Sequence, residues 1–373
     1  MQTIVLVSPY WKEEHRWMVS TVKLAELWQR LGYRIVVVCM GTTQNGVAEE
    51  MEQISPTLVI HRVRDWFLPD PWNYGIALRF TRIVKRVVRE ERPAHIVVNK
   101  ILFWSSLSVC SLRLAGYPVI LLTDALVGIT WWGRTWLFRL CSRIYAWTLG
   151  WVILRAATRV VFFHPQPPPI LALLGITAKS RVIPTGIDAS RYNRNERTPN
   201  TLVIRYVGRL ESVKGVDDFV RAAMEVKKIH PEVHVQVVGW YRDGHPLVRE
   251  YGGHITFTGL RNDIPSLLAD TDIFVLPSHA EGLSNALMEA MASGCACIAS
   301  DVGGNAFLIQ NGISGFLFPA GDHHALSSHM LRLIEDRHKR ESLGQAAQER
   351  IRKHFDWQRI SAQYERLFQE CTQ

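Results

Sequence analysis

Short runs of hydrophobic residues alternate along the chain with segments of helical periodicity. Residues 3–8 and 34–39 are continuous apolar runs, and residues 19–31 between them place apolar side chains at helical spacing. Continuous apolar runs predict strands that are buried on both faces, so this part of the chain predicts a βαβ unit with a parallel sheet. Further strands of the same kind are predicted at 58–62, 95–99, 119–122 and 159–163. The alternation is typical of a doubly wound α/β domain.

A second series of the same kind begins after a polar segment. Residues 166–169 (QPPP) cannot continue a helix or a central strand, and residues 181–200 are polar and rich in turn formers. We interpret the latter as the junction between two domains. Beyond it the pattern predicts strands at 202–206, 234–238, 255–258 and 273–276, and helices at 216–229 and 264–269. Two doubly wound α/β domains in tandem would bind ligands at the carboxyl ends of their strands.

The stretch 276–301 carries the most informative polar residues. A buried strand is followed by a loop with Glu281 and then by a helix, for which Ser284 is the predicted N-cap and Gly294 the predicted stop. The free N–H groups at the start of such a helix favour an anion. Glu281 and Glu289 flank this position. Because carboxylates repel phosphate, they are better suited to sugar and ribose hydroxyls.

A second segment, YVGRLESVKG at 206–215, supplies positive charge. Arg209 and Lys214 follow the first predicted strand of the second domain, where ligands collect. An arginine and a lysine on one loop can clamp a diphosphate. Taken singly, these cations and the two glutamates could equally be ordinary surface residues.

Together these segments resemble the retaining glycosyltransferases of the GT-B fold, family 4 (glycosyl transferases group 1). The matching stretches are IPTGID at 183–188, VGRLESVKG at 207–215, FTGLRNDI at 257–264, HAEGLSNALMEAMASG at 279–294 and the series from Gly303 through Asn311 to Asp322. The resemblance implies two Rossmann-like doubly wound domains that face each other across a cleft. Residues 1–185 would be the acceptor-binding, membrane-facing domain and 186–355 the donor-binding domain, and a C-terminal helix at 356–373 would pack back on the first.

The resemblance also implies roles for single residues. Arg209 and Lys214 would bind the donor diphosphate and stabilise the leaving group, which needs preorganised positive charge. Glu281 would contact the donor sugar near its C3 hydroxyl, and Glu289 would bind the ribose hydroxyls. The remaining donor-binding residues are expected to be Arg261, Gly282, Leu283, Ser284 and Asn285. The family needs no metal, so neither a metal nor a cofactor is expected beside the nucleotide-sugar co-substrate, whose base stays open among UDP, GDP and ADP.

The first domain departs from the family pattern. Relatives usually carry two glycines after the first strand, but here His15 and Arg16 stand at about that place and restrict close approach to the backbone. Many relatives also carry a histidine where this chain has Thr123, followed by Asp124. Asp124 could orient an acceptor hydroxyl or act as a base. These four residues are the expected acceptor-binding residues, and Asp124 is also counted as catalytic.

The net charge of +9 is concentrated in the first half. Residues 1–185 hold 22 Lys and Arg against 11 Asp and Glu, whereas the remainder holds 21 against 23. No acidic residue occurs between 125 and 187, and the segment 66–92 adds a second basic, aromatic stretch. In 131–159 tryptophan and arginine interleave, at Trp131, Trp132, Trp136, Trp147 and Trp151 and at Arg134, Arg139, Arg143, Arg155 and Arg159.

Tryptophan favours the headgroup level of a bilayer and arginine favours anionic lipid, so we expect an anionic membrane surface as a partner. The alternatives are tryptophans packed inside the domain, or a nucleic acid, for which no motif is present. The chain shows no signal peptide and no apolar stretch of about 18 residues. We therefore expect a cytoplasmic protein that is peripherally associated with the inner face of the plasma membrane.

The expected function is a metal-independent, retaining transfer of a sugar from a nucleotide diphosphate to a glycan or lipid-linked glycan, in cell-envelope polysaccharide or glycolipid assembly. Two alternatives stay open. One is a GT-B glycosyltransferase with a soluble acceptor, and the other is a non-catalytic module that binds a nucleotide sugar or a membrane. The oligomeric state stays open as well.

Overall fold

The computed structural model describes residues 1–11, 19–43, 46–68, 74–130, 136–194 and 201–372. The chain divides into two compact units. The first comprises residues 1–185 together with the chain from residue 360 onwards, and the second comprises residues 186–359.

The first unit is built on an eight-stranded sheet with the order β10-β9-β8-β7-β1-β2-β4-β3. Its strands and a separate hairpin (β5 and β6) are β1 Thr3–Ser8, β2 Arg34–Gly41, β3 Glu49–Ser55, β4 Leu58–Arg64, β5 Trp66–Leu68, β6 Tyr74–Ile76, β7 His95–Asn99, β8 Ile120–Thr123, β9 Arg159–Phe162 and β10 Ser180–Val182. All neighbours in the large sheet are parallel except β3, which pairs antiparallel with β4 at the edge. The order of the strands reverses between β1 and β7, so the topological switch point lies between these two strands.

Helices cover this sheet. They are α1 Val19–Arg30, α2 Phe80–Glu91, α3 Leu107–Leu114, α4 Trp136–Tyr145, α5 Trp151–Ala156 and α6 Pro168–Leu173, with a π-helical turn at Ala146–Gly150 between α4 and α5. Helix α2 shows the ordinary arrangement, in which large apolar residues face the core: it buries Phe80, Ile83, Val84, Val87 and Val88. No helix in the described ranges combines the length and the apolar composition that a bilayer crossing requires.

The second unit is built on six parallel strands in the order β13-β12-β11-β14-β15-β16. They are β11 Val203–Val207, β12 His234–Val238, β13 Thr256–Phe257, β14 Ile273–Leu276, β15 Ala296–Ser300 and β16 Phe316–Phe318. In chain order this is 3-2-1-4-5-6, the order of dinucleotide-binding folds, so the switch point lies between β11 and β14. The helices are α7 Val216–Ile229, α8 Pro246–Tyr251, α9 Ile264–Ala269, α10 Asn285–Ala292, α11 Asn305–Leu308, α12 His323–Glu335 and α13 Arg337–His354.

The last helix, α14 (Trp357–Thr372), contributes most of its length to the first unit. Its buried residues there fall on one helical face. Tyr364 and Phe368 lie with their rings 5.4 and 5.6 Å from Trp28 of α1, and Phe368 stacks on His95 at 4.5 Å. The expected fold class, two Rossmann-like doubly wound α/β domains with a C-terminal helix that returns to the first, is confirmed.

Candidate active site

Two loops meet at the switch point of the second unit. One follows β11 and carries Arg209 and Lys214, and the other follows β14 and carries Glu281. The backbone N–H of His279 donates to the carbonyl of Val213 over 2.8 Å, which joins the loops. Because the carboxyl ends of parallel strands form the ligand-binding edge of such a sheet, both loops lie where a ligand is expected.

The centre of this edge is a hydrogen-bonded carboxylate. Lys214, at the end of a 3₁₀ turn, places Nζ 2.7 Å from Oε1 of Glu281, and Ser278 Oγ donates to the same oxygen over 2.7 Å. The Glu281 side chain is only 9% exposed. Its second oxygen, Oε2, accepts no hydrogen bond from the described residues. One carboxylate oxygen is therefore held in place, and the other remains able to accept from a ligand hydroxyl.

Two glycines permit this close packing of loops. Gly215 and Gly303 have positive φ of 64° and 52°. A Cβ on Gly215 would lie 2.0 Å from the carbonyl oxygen of Pro277, and one on Gly303 would lie 2.0 Å from the carbonyl oxygen of Glu281. Both distances are far below any real contact, so only glycine allows the Glu281 loop to lie this close to its neighbours.

Helix α10 begins shortly after Glu281 in the chain. Ser284 is its N-cap, as predicted, and Ser284 Oγ accepts from the N–H of Leu287. The helix ends at Ala292, and Gly294 follows in the left-handed conformation that was expected of a stop. The side-chain oxygen Oδ1 of Asn285 is buried and accepts no hydrogen bond within the described part of the chain. The start of α10 thus combines free backbone N–H groups with an acceptor that has no partner.

Glu289, one turn further along α10, lies beside a residue that the sequence did not point to. The phenol of the buried Tyr192 lies close to the Glu289 carboxylate. Burial, followed by the negative charge of Glu289, raises the pKa of Tyr192 far above its ordinary value. The tyrosine therefore stays protonated throughout the physiological range and remains able to donate to the carboxylate that is expected to bind ribose.

The two arginines predicted for the donor site lie on exposed loops. Arg209 is half exposed and pairs with Glu211 at 2.9 Å, while its carbonyl accepts from Tyr206 over 2.8 Å. Arg261 pairs with Asp263 in its own loop, with Nε 2.8 Å from Oδ1. Neither arginine forms an ion pair with Glu281 in the described residues, so the structure joins Lys214 directly to Glu281 and leaves both arginines on the surface.

A second cluster lies at the carboxyl edge of the first unit. Lys100, Asp124 and His164 come directly after β7 and β8 and shortly after β9, three adjacent strands. Lys100 Nζ forms an ion pair with Asp124 Oδ2 and lies 5.5 Å from the centre of the Phe163 ring. Lys100 also has a φ of +74°, an unfavourable conformation for a residue other than glycine.

The charges in this cluster depend on one another. Burial alone would raise the pKa of Asp124, but the charge and the hydrogen bond of Lys100, with a smaller contribution from His164, hold it below its ordinary value. Burial lowers the pKa of His164, although Asp124 opposes this shift. Sequence reasoning missed Lys100 and His164. The available signal was that each is a polar residue at the end of a predicted strand.

Of the other expected acceptor residues, Thr123 is buried, and His15 and Arg16 are not described by the structure. Thr123 is 1% exposed, and its hydroxyl donates to the carbonyl of Ala125 over 3.0 Å. This bond supports the loop that carries Asp124 and leaves Thr123 little access to a ligand. His15 and Arg16 lie outside the described residues.

Of the tryptophans expected at a membrane surface, some are exposed in the structure and the others lie outside the described residues. Trp136 and Trp147 are 74% and 43% exposed, and Trp151 and Trp66 are exposed as well. Trp131, Trp132, Arg134 and Trp72 lie outside the described residues.

Two family models match the chain in succession. The first, glycosyltransferase family 4, covers residues 19–191, and the second, glycosyl transferases group 1, covers residues 190–350. Among curated relatives, glycogen synthase of Mycobacterium tuberculosis is 31% identical over 197 residues, which are 49% of this chain and 47% of the relative. The UDP-Gal:alpha-D-GlcNAc-diphosphoundecaprenol alpha-1,3-galactosyltransferase of Escherichia coli is 29% identical over 215 residues, or 52% and 55% of the two chains. The chain spans about half the length of the curated relatives it matches.

Among solved structures, the chain is similar to sucrose-phosphate synthase of Thermosynechococcus elongatus. The TM-score is 0.79 over 99% of both chains, at 21% sequence identity. This likeness extends the fold comparison to nearly every residue.

Proposed function

Because the chain belongs to the group 1 glycosyl transferases of family 4, we propose that it is a retaining glycosyltransferase that moves a sugar from a nucleotide diphosphate to a hydroxyl of a lipid-linked glycan. The observation that carries the proposal is the Glu281 carboxylate, which Lys214 and Ser278 hold at the switch point of the second unit. The pair combines a cation for a phosphate with a carboxylate for a sugar hydroxyl.

The diphosphate would lie between Lys214 and the start of α10. An ammonium group has three N–H donors, and only one is needed for Glu281, so the others are free to bind phosphate oxygens. The N–H groups at the start of α10 and the exposed guanidinium of Arg209 would complete the site. As the bond to the sugar breaks, negative charge grows on the departing diphosphate, and these fixed donors stabilise it. We therefore expect the transfer to proceed without a metal ion.

The sugar and the ribose would be held by oxygen acceptors. Oε2 of Glu281 is available to a donor hydroxyl, Oδ1 of Asn285 is a buried acceptor without a partner in the described residues, and Glu289 lies close to Tyr192. Carboxylate and amide oxygens suit hydroxyl donors, and a buried acceptor without a partner gains most from a ligand that supplies one.

The acceptor would be oriented by Asp124. Its lowered pKa keeps the carboxylate ionised at neutral pH and makes it a weak base. This favours the orienting role over proton abstraction among the two roles expected for it. Lys100 holds the carboxylate in place through the ion pair.

A lipid-linked acceptor fits the surface of the first unit. Helices α4 and α5 with the π-helical turn bury a narrow row of mostly small residues, and their large apolar residues face outwards. The buried residues are Ser142, Ala146, Gly150, Ile153 and Leu154. The exposed apolar residues are Trp136, Leu137, Leu140, Ile144, Trp147, Leu149, Trp151 and Val152. We call the latter set the outward face.

The outward face is the reverse of the arrangement in α2, which buries its large apolar residues. Exposed arginines accompany it at Arg139, Arg143 and Arg155, and no carboxylate occurs between residues 125 and 187. A contiguous apolar face with arginines at its margin fits the interface of an anionic bilayer. The diphosphoundecaprenol in the name of the Escherichia coli relative supports the same class of acceptor. We place the protein at the inner face of the plasma membrane, in cell-envelope polysaccharide or glycolipid assembly.

The donor is tested by thermal shift against UDP-, GDP- and ADP-sugars, because a ligand that binds only the folded state raises the melting temperature. We expect one nucleotide to raise it in the wild type and much less in Lys214→Ala and Glu281→Gln. Lys228→Ala and Glu349→Gln are matched controls, because both side chains are exposed and have no ion pair in the described residues. Equal shifts in all five proteins would refute the donor site.

The reaction is tested with the preferred donor, acceptors with and without a lipid diphosphate, and an excess of chelator. We expect transfer to the lipid-linked acceptor with the anomeric configuration of the donor kept, as read from the product by NMR. Transfer only to a soluble sugar would support the alternative acceptor. Donor binding without transfer or hydrolysis would support a non-catalytic module.

Membrane association is tested by co-sedimentation with vesicles of phosphatidylcholine with and without phosphatidylglycerol. We expect pelleting on the anionic vesicles only, and its loss in Trp147→Ser combined with Ile144→Ser on the outward face. The core variant Val87→Ser in α2 is the contrast, since it should reduce stability but leave the outward face intact. If the wild type did not pellet with anionic vesicles, the proposed membrane association would be refuted.

A further inference from the structure

A basic depression lies at the end of α5, next to the outward face. Its volume is about 200 Å³, and Arg155, Gly175, Ala178 and Lys179 line it. Two cations and two of the smallest residues therefore enclose it, and no acidic residue is among them.

The position of Arg155 depends on the glycine opposite. A Cβ on Gly175 would lie 2.2 Å from Nη1 of Arg155, so the guanidinium lies directly against the backbone of Gly175. Gly175 also has a φ of +67°, which favours glycine. The guanidinium carbon lies 5.2 Å from the centre of the Trp151 ring, within the range of a cation–π contact. Within the described residues, Arg155 has no carboxylate partner.

Lys179 forms the other side of the depression. Its Nζ donates to the carbonyls of Arg155 and Ala157 over 2.6 and 2.8 Å, which closes the end of α5. These bonds use two of its three N–H donors. Burial lowers the pKa of Lys179, and the positive charges of Arg155 and Arg113 lower it further. Three cations thus lie close together without a carboxylate to compensate them, and an anion would relieve their repulsion.

We propose that this depression binds the phosphate group of an anionic membrane lipid. The elements that line it also carry exposed apolar side chains, which we call its rim: Trp151, in contact with Arg155, and Val152 lie on α5, and Leu173 at the end of α6 comes shortly before Gly175. A free phosphate gains nothing from such a rim, whereas a lipid phosphate brings acyl chains that cover it. The proposal rests on the membrane association proposed above. The depression would add a defined phosphate site to the diffuse attraction between the exposed arginines and anionic lipid. It would thereby set the orientation of the first unit on the bilayer.

The test compares Arg155→Gln with Arg143→Gln on vesicles with 30% phosphatidylglycerol and on vesicles of pure phosphatidylcholine. Both variants lose one exposed arginine of the same helical segment, and neither arginine has a carboxylate partner in the part of the chain that the structure describes. The general loss of attraction, about fivefold for one charge near an anionic surface, is common to both. We expect Arg155→Gln to bind the anionic vesicles about tenfold more weakly than Arg143→Gln does. Equal affinities of the two variants would overturn the proposal.

A second pair of variants leaves the arginine in place. Ala178→Glu puts a carboxylate into the depression, and Ala172→Glu puts one on the exposed side of α6, outside the depression. Both positions are exposed, so we expect both variants to fold with unchanged melting curves. We expect Ala178→Glu alone to lose the preference for anionic vesicles. Loss of the preference in both variants, or in neither, would overturn the proposal.

Glycerol 1-phosphate distinguishes a lipid phosphate from a soluble one. We expect it to raise the melting temperature only at millimolar concentrations and to compete poorly with vesicles. Tight binding of glycerol 1-phosphate that Arg155→Gln abolishes, with unchanged vesicle affinity, would assign the site to a soluble phosphate and overturn the lipid proposal. If the wild type did not bind anionic vesicles, the membrane association itself would fail. If it bound them and Arg155→Gln matched Arg143→Gln, only the phosphate site would fail.

Discussion

Lys214 and Glu281, which are 67 residues apart in the sequence, meet with Nζ and Oε1 at 2.7 Å. The contact joins the loop after β11 to the loop after β14, on either side of the switch point. A lysine and a glutamate on separate loops thereby form one ion pair at the edge of a parallel sheet. Ser278 donates to the same oxygen, so the carboxylate has a fixed orientation before any ligand binds.

The coupling between these two residues can be measured directly. Lys214→Met leaves the nearly buried Glu281 without its cation, and Glu281→Gln leaves Lys214 without its anion, so each should lower the free energy of unfolding by about 1–3 kcal/mol. The double variant should lose less than the sum, with a coupling of about 1 kcal/mol or more in urea unfolding. Additive losses would contradict the ion pair. We also expect Lys214→Met to lower kcat about 100-fold or more, because the cation stabilises charge that forms during the reaction.

Tyr192 should determine how well Glu289 binds the nucleotide. Tyr192→Phe removes the hydroxyl beside Glu289 but keeps the ring, so we expect the Kd of the nucleotide to rise about threefold to tenfold, as measured by calorimetry. A 2′-deoxyribose analogue should show a smaller difference between variant and wild type, since it lacks one partner of the carboxylate. Tyr251→Phe is the matched control, because Tyr251 also lies beside a glutamate, Glu250, near the surface of the same unit. An equal effect of both variants would argue against the role of Tyr192.

Gly303→Ala should displace the Glu281 loop. The new Cβ would lie 2.0 Å from the carbonyl oxygen of Glu281, and the left-handed backbone adds about 1–2 kcal/mol of strain. Gly312→Ala carries similar strain, with a φ of +78°, but its Cβ would meet nothing within 4 Å. We therefore expect both variants to lose stability, Gly303→Ala by more, and only Gly303→Ala to lose donor affinity by tenfold or more. Unchanged affinity in Gly303→Ala would show that the loop tolerates displacement.

The ion pair of Lys100 and Asp124 predicts a pH dependence of stability. Because the pKa of Asp124 is lowered in the folded protein, its contribution is present above the unfolded value of about 3.9 and is lost as the pH falls through the lower folded value. Lys100→Met removes the charge and the hydrogen bond of Lys100, so only burial and the weaker effects of the backbone and His164 then act on the pKa of Asp124. We expect the folded pKa of Asp124 to rise above 3.9, so that ionisation then destabilises the fold as the pH rises.

The measurement is urea unfolding of wild type and Lys100→Met from pH 3 to pH 7. We expect the difference in the free energy of unfolding to grow as the pH rises from 3 to about 6 and then to stay constant. Lys85→Met is the control, since Lys85 has no carboxylate partner in the described ranges and should give a difference that does not change with pH. A constant difference for Lys100→Met would show that its charge does not control Asp124.

Much of the secondary structure follows from local patterns. The predicted helix at 216–229 and the strands at 234–238 and 273–276 coincide with α7, β12 and β14, because continuous apolar runs and helical periodicity bury the same residues in any context. The N-cap Ser284 was equally predictable, since its hydrogen bond lies within four residues. Strand β3 was missed because its sequence, EEMEQIS, is polar and partly exposed. It is a strand only because it pairs antiparallel with β4 at the sheet edge.

The proline segment shows the limit of the rule that proline cannot continue a helix. QPPP was expected to be unable to continue a helix or a central strand, and the structure shows that it begins one, because α6 starts at Pro168. The first residues of a helix have N–H groups without intrahelical partners, so proline loses nothing there and its φ suits the helix. Composition likewise predicted an aromatic, basic segment at 131–159. It could not say that α4 and α5 bury small residues and expose the large ones.

Local sequence thus specified the alternating strands and helices, the capped α10 and the carboxylates and cations after the strands, because each depends on neighbours within a few residues. Tertiary structure alone decided which of these groups meet: Lys214 with Glu281, Tyr192 with Glu289, and Lys100 with Asp124. Such contacts depend on the order of strands in a sheet and on glycines that let loops approach. Strand order is a property of the whole packed unit, so no short window of residues contains it.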